Sequence, residues 1–130
     1  MDEAIRKALA ADSRVGYALI FGSEATDRRT PFSDVDIAIG LKEGARLDQR
    51  DLGAIVSNLE RAIGRTVDLV LLDDAPVGVA YRVFRDGRLV FEADHAARVR
   101  REAKAILEYL DFQPVEQMCA RAVLDAAAHG

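Results

Sequence analysis

Val15-Gly16-Tyr17-Ala18-Leu19-Ile20-Phe21 runs into Gly22-Ser23, and after ten further residues the chain resumes as Asp34-Val35-Asp36-Ile37-Ala38-Ile39-Gly40. The first run is apolar and short enough for a buried strand, and Gly22-Ser23 breaks it. The second alternates. Val35, Ile37 and Ile39 point one way and Asp34 and Asp36 the other, the period of a strand with one polar face. Two strands this close in sequence, with a turn between them, pair antiparallel more naturally than through a full crossover helix.

Working outward, residues 2–11 place Ala4, Ile5, Ala8 and Leu9 on one helical face. Residues 48–63 set Leu52, Ile55, Val56, Leu59 and Ile63 at helical spacing, with Asp48 as N-cap and Gly64 as stop. Residues 66–72 read as a third strand. Pro76 suits the first turn of a helix with Val77, Ala80, Tyr81 and Phe84 inward and Gly87 at its end. Residues 88–92 read as a short edge strand. Asp94 caps a helix expected to turn Val99, Ala103, Ile106, Leu107 and Leu110 inward. Asp111-Phe112-Gln113-Pro114 is expected to interrupt it, because the residue before a proline avoids helical geometry. A last helix would carry Val115, Met118, Cys119, Ala122, Val123 and Ala126 on one stripe. The expected fold class is α/β (α+β), a small mixed sheet packed by helices. We expect one domain over 1–130, with a core of about 1–92 and a helical tail of about 94–128.

Composition narrows the function classes. The chain has 130 residues, half of them hydrophobic and 31% charged, which is enough for a core and too ordered a composition for disorder. Its formal net charge of -4 disfavours a protein whose task is to neutralise nucleic-acid phosphates. No apolar run approaches the ~18 residues needed to span a bilayer. The start, Met1-Asp2-Glu3-Ala4, lacks the positive region of a signal peptide. The single cysteine, Cys119, has no internal disulfide partner. These features lead us to expect a soluble cytoplasmic domain.

The chemistry concentrates in three acids and a glycine turn. Asp34 and Asp36 share a strand face about 7 Å apart, and like charges that close repel unless a cation lies between them. Taken alone such a pair is an ordinary solvent-facing strand edge. Ala38 and Gly40 leave room on the same face, and a third acid, Asp68, stands within the apolar strand Val67-Asp68-Leu69-Val70-Leu71-Leu72. An acid there is costly unless it is hydrogen-bonded, paired or metal-bound. Gly22 permits close backbone approach, and Ser23 suits a helix N-cap whose free N–H groups would face an anion. Amides for phosphate and carboxylates for a divalent ion are the two halves of a nucleoside-triphosphate site. Neither a G-x-x-x-x-G-K-[ST] loop nor a G-x-G-x-x-G is present.

Gly22-Ser23-x10-Asp34-x-Asp36, with Asp68 on the next strand, resembles the nucleotidyltransferase signature of the DNA polymerase beta superfamily. At this length the chain is most similar to the minimal nucleotidyltransferases (MNT). Thr66-Val67-Asp68-Leu69-Val70, Arg85-Asp86-Gly87-Arg88-Leu89-Val90-Phe91-Glu92 and Leu110-Asp111-Phe112 are similar to later parts of MntA-type antitoxins. The resemblance implies a polymerase-beta-like fold and catalytic, metal-ligating roles for Asp34, Asp36 and Asp68 with two Mg²⁺. It implies nucleotide binding by Gly22 and Ser23. The family's usual Arg-Gly pair is replaced by Thr26-Asp27, for which Arg28 or Arg29 is the expected substitute; the alternative is that both arginines belong to a solvated loop. The implied activity is transfer of AMP from ATP to a tyrosine of a HEPN ribonuclease toxin, without direct nucleic-acid or membrane binding. The alternatives are transfer to a small-molecule hydroxyl and a non-catalytic binding antitoxin. His95 and His129 are expected at the surface and Cys119 packed. Arg98, Arg100, Arg101 and Lys104 are expected to form a solvated helix face, with Arg98, Arg101 and Lys104 as a docking strip.

Overall fold

The computed structural model describes residues 1–22 and 34–129. Ser23, Arg28 and Arg29 lie outside the described residues. The elements in order are α1 (Asp2–Ala10), β1 (Val15–Phe21), β2 (Val35–Leu41), α2 (Gln49–Ile63), β3 (Val67–Leu71) and a short 3₁₀ turn (Leu72–Asp74). Then come α3 (Val77–Asp86), β4 (Arg88–Glu92) and α4 (His95–His129). The strands form a mixed sheet in the order β3-β2-β1-β4. β1 is antiparallel to β2 and to β4, and β2 is parallel to β3. The antiparallel β1–β2 pair and the edge position of β4 are as the sequence predicts.

Strand alternation sorts the core into two layers. Ala18, Ile20, Val35, Ile37 and Ile39 point to one face and pack with Ile5 and Leu9 of α1 and Ile55 and Leu59 of α2. Tyr17, Leu19 and Ala38 point to the other and pack with Leu72, Ala80 and Val83 and with Ala105 of α4. Gly40 is required on this second face, because a Cβ there would overlap the Tyr17 ring. α2 is held at both ends as expected. The Asp48 carboxylate accepts from Asp51 N at 2.8 Å, and the Asp51 carboxylate accepts from Asp48 N at 3.0 Å. Gly64 ends the helix in the left-handed region at φ 70°.

α4 departs from expectation in three ways. It runs unbroken from His95 to His129 with Pro114 inside it. Proline removes one helical hydrogen bond, but the residues after it are strong helix formers. Glu116 also pairs with Arg82 of α3 at 3.5 Å, which ties the helix down beyond the proline.

Second, the helix is rotated. Its inner face is Ala97, Arg101 and Ala105, whereas Val99, Ala103, Ile106, Leu107 and Leu110 face outward. The cause is polar demand at the end of β3. Arg101 donates from Nε at 3.2 Å and Nη2 at 3.0 Å to the Leu72 carbonyl, and Arg98 pairs with Glu92 and with Glu102. Small Ala105 lets α4 approach closely, and Tyr109 stacks on Tyr81 with ring centroids 3.9 Å apart. The expected docking strip of Arg98, Arg101 and Lys104 is therefore not an outer surface: two of the three are turned to the body and only Lys104 is exposed.

Third, Cys119 is exposed rather than packed, since the residues of α4 from 117 to 128 are all exposed. His95 is at the surface, as expected, with Nδ1 2.8 Å from Glu92. Among the described residues no helix is long and apolar enough to cross a membrane.

Candidate active site

The site forms where β1 ends and β2 and β3 begin. Phe21 is the register partner of Asp36, and Asp36 is the register partner of Asp68. The two acids thus sit abreast on adjacent strands, about 4.8 Å apart in the pairing direction and pointing to the same face. That face is the one covered further along by α3 and α4, through Ala38 and Val70. Asp34 stands one residue before β2, exposed, and Asp68 is exposed as well; Asp36 is half-buried. Gly22 follows β1 with φ 69°, and a Cβ on it would run into the Asp36 carboxylate. Only glycine fits a left-handed position with the backbone this close to a carboxylate. The structure brings together Gly22, Asp36 and Asp68, with Asp34 at the margin.

Burial raises the Asp36 pKa above its ordinary value, and the neighbouring Asp68 and then Asp34 raise it further. Among the described residues no cationic side chain pairs with any of the three. Nor, among those residues, do three ligating side chains close on one point as a metal-holding group. The donor set itself consists of carboxylate oxygens, which suit a hard divalent cation. Asp34 and Asp68, being exposed, are free to turn toward Asp36.

Beside Asp68 lies a feature the sequence reading passed over, a groove of about 370 Å³ between α2 and β3, lined by Leu52, Gly53, Val56, Val67, Asp68 and Leu69 among others. The signal for it was Gly53, a glycine inside an otherwise regular amphipathic helix. Such a residue costs roughly 1 kcal/mol relative to alanine and invites the question of what needs the space.

Residues 3–96 match the family "Polymerase beta, Nucleotidyltransferase". No curated protein matches the chain in sequence. Among solved structures, the chain is similar to one chain of a toxin–antitoxin complex with AMP-PNP, at 23% identity and TM-score 0.82, covering 95% of this chain and 98% of that one. It is similar to a chain of the MntA–HepT toxin–antitoxin, at 22% identity and TM-score 0.75, covering 95% and 96%. A third similarity is to a chain of the complex of tri-AMPylated Shewanella oneidensis HEPN toxin with MNT antitoxin, at 22% identity and TM-score 0.74, covering 95% and 99%. These likenesses establish the shared fold, and the match over residues 3–96 shows that the chain belongs to the polymerase beta nucleotidyltransferase family.

Proposed function

We propose that the protein is an antitoxin that transfers AMP from ATP to a tyrosine hydroxyl of a HEPN toxin, with Mg²⁺ as cofactor. The observation that carries the reading is the Asp36–Asp68 pair, which no cationic side chain neutralises among the described residues, in register beside a left-handed Gly22. Such an arrangement is unfavourable in isolation and favourable only when a polyvalent cation and a polyanion enter it. The similar complexes support the partner: one holds an ATP analogue and another an AMPylated HEPN toxin.

In this reading Asp34, Asp36 and Asp68 hold two Mg²⁺ ions. When bound, the ions neutralise triphosphate charge and acidify the attacking hydroxyl. Gly22 lets the triphosphate approach the main chain, and Ser23, with Arg28 or Arg29, contacts its oxygens. The tyrosine oxygen attacks the α-phosphorus and forms the new O–P bond. The bond from that phosphorus to the bridging oxygen breaks, and pyrophosphate leaves. Asp68, the more exposed acid of the register pair, takes the hydroxyl proton and passes it to solvent.

The test is intact-mass spectrometry of the HEPN partner after incubation with the chain, ATP and Mg²⁺. The expected result is a gain of whole AMP units, lost with Asp36→Asn. A complex that forms without any mass gain would indicate a purely masking antitoxin. Transfer to an added small-molecule alcohol but not to the partner would indicate a small-molecule enzyme. Either result overturns the proposal.

A further inference from the structure

We propose that the outer edge of β3 is the docking strand for the acceptor. An extended, hydroxyl-bearing segment of the partner protein adds there as a fifth strand, beside Asp68. This inference rests on the reading that the acceptor is a protein.

The main-chain geometry carries it. Among the described residues β3 is the terminal strand on its side of the sheet. In a parallel pair, alternate residues turn both main-chain groups toward the neighbour, and the residues between turn theirs away. Here Val35 N donates to the Thr66 carbonyl at 2.9 Å, whereas Val67 N points the other way and donates to Glu60 Oε2 at 2.9 Å. Thr66, Asp68 and Val70 therefore address β2, and Val67, Leu69 and Leu71 address the outside. Glu60 occupies the first outward N–H. Among the described residues nothing occupies the N–H and C=O of Leu69. The opposite edge is treated differently, for Arg6 Nε donates to the Val90 carbonyl of β4 at 2.8 Å. An unpaired edge is a template for another strand, and proteins ordinarily blunt it.

What borders the edge fits the same occupant. Recognition by strand addition takes affinity from main-chain hydrogen bonds and selectivity from pockets for alternate side chains. The α2–β3 groove supplies such a pocket, walled by Leu52 and Val56 and opened by Gly53, where a Cβ would have no neighbour within 4 Å. Side chains of an added strand would alternate between this apolar groove and the opposite face. A residue abreast of Asp68 falls on the face of the Asp36–Asp68 pair, one strand spacing (~4.8 Å) further out. A long hydroxyl side chain at that position reaches back over Asp68. The acceptor segment is thus apolar–hydroxyl–apolar, with the apolar residues on the α2 side.

The experiment is amide hydrogen exchange of the full chain, free and with the purified HEPN partner, read by mass spectrometry over residues 66–72. It is paired with transfer kinetics of Gly53→Trp, which fills the groove from the α2 side. The expected results are slowed exchange in 66–72 when the partner is added, and a KM for the partner raised about tenfold in Gly53→Trp at unchanged ATP-analogue affinity. If the complex forms and 66–72 exchanges as in the free chain, or if Gly53→Trp keeps the wild-type KM, the proposal is overturned. Protection that appears with rising chain concentration alone would place a second copy on this edge, and overturns it too. Protection by the partner without AMP transfer leaves the docking strand standing and refutes the transfer reading. Failure of any complex to form refutes both.

Discussion

At Gly22 the backbone combines a φ of 69° with immediate contact to the Asp36 carboxylate. Gly22→Ala meets both obstacles at once. The left-handed conformation costs a β-carbon residue about 1–2 kcal/mol, and the new methyl displaces Asp36. We expect a loss of stability of that order in urea unfolding, and a loss of nucleotide transfer well beyond what partial unfolding would explain. Asp36 gives a prediction of opposite sign. Its pKa is raised, first by burial and then by Asp68 and Asp34, above the ordinary 3.8. The folded chain therefore keeps that proton to higher pH than the unfolded chain does, and stability falls as pH rises from 3.8 through the raised value. Asp36→Asn removes the ionisation. In EDTA it should unfold at higher urea than the wild type at pH 7, and its advantage should vanish below about pH 3, where both forms are neutral. Equal midpoints at both pH values would show that the acids do not strain the fold.

At the scale of elements, α4 is the informative one. Arg101 is a structural residue whose guanidinium satisfies the Leu72 carbonyl. Arg101→Met keeps the aliphatic stem but removes two charged donors and leaves that carbonyl only the Ala75 N–H at 3.2 Å, at a cost of about 1.5 kcal/mol. Lys104→Met, one turn away and exposed with a weak pair to Glu108 at 3.6 Å, should change stability by less than about 0.5 kcal/mol. Thermal unfolding of the two variants separates a helix docked through its arginines from one that merely displays them.

For the molecule as a whole, the body and the end of α4 are energetically distinct. The residues from 117 to 128 are all exposed, and Met118, Val123 and Leu124 are each more than two-thirds exposed. A chain ending after Glu116 retains the Arg82–Glu116 pair and the Tyr81–Tyr109 stack. We expect its Tm within about 2 °C of the full chain, since a buried-area loss near zero leaves little to destabilise. A drop of ten degrees would mean that the end of the helix supports the fold.

Much of this protein was legible in one dimension because the governing interactions are local. The alternation of Val35, Ile37 and Ile39 against Asp34 and Asp36, the Asp48 N-cap and the Gly64 stop each depend on residues a few positions apart, and all appear as read. The acids and the glycine turn were legible as a pattern, though their roles remain proposals. The orientation of α4 was not legible. An apolar stripe at Val99, Ile106 and Leu110 predicts burial only if no other face has a stronger claim. Here a carbonyl at Leu72, 29 residues from Arg101 in sequence, set the rotation instead. The abreast placement of Asp36 and Asp68, the contact of Gly22 with Asp36 and the open edge of β3 likewise arise from strand order and register. Those depend on which elements meet across the sheet, so only the tertiary structure decided them.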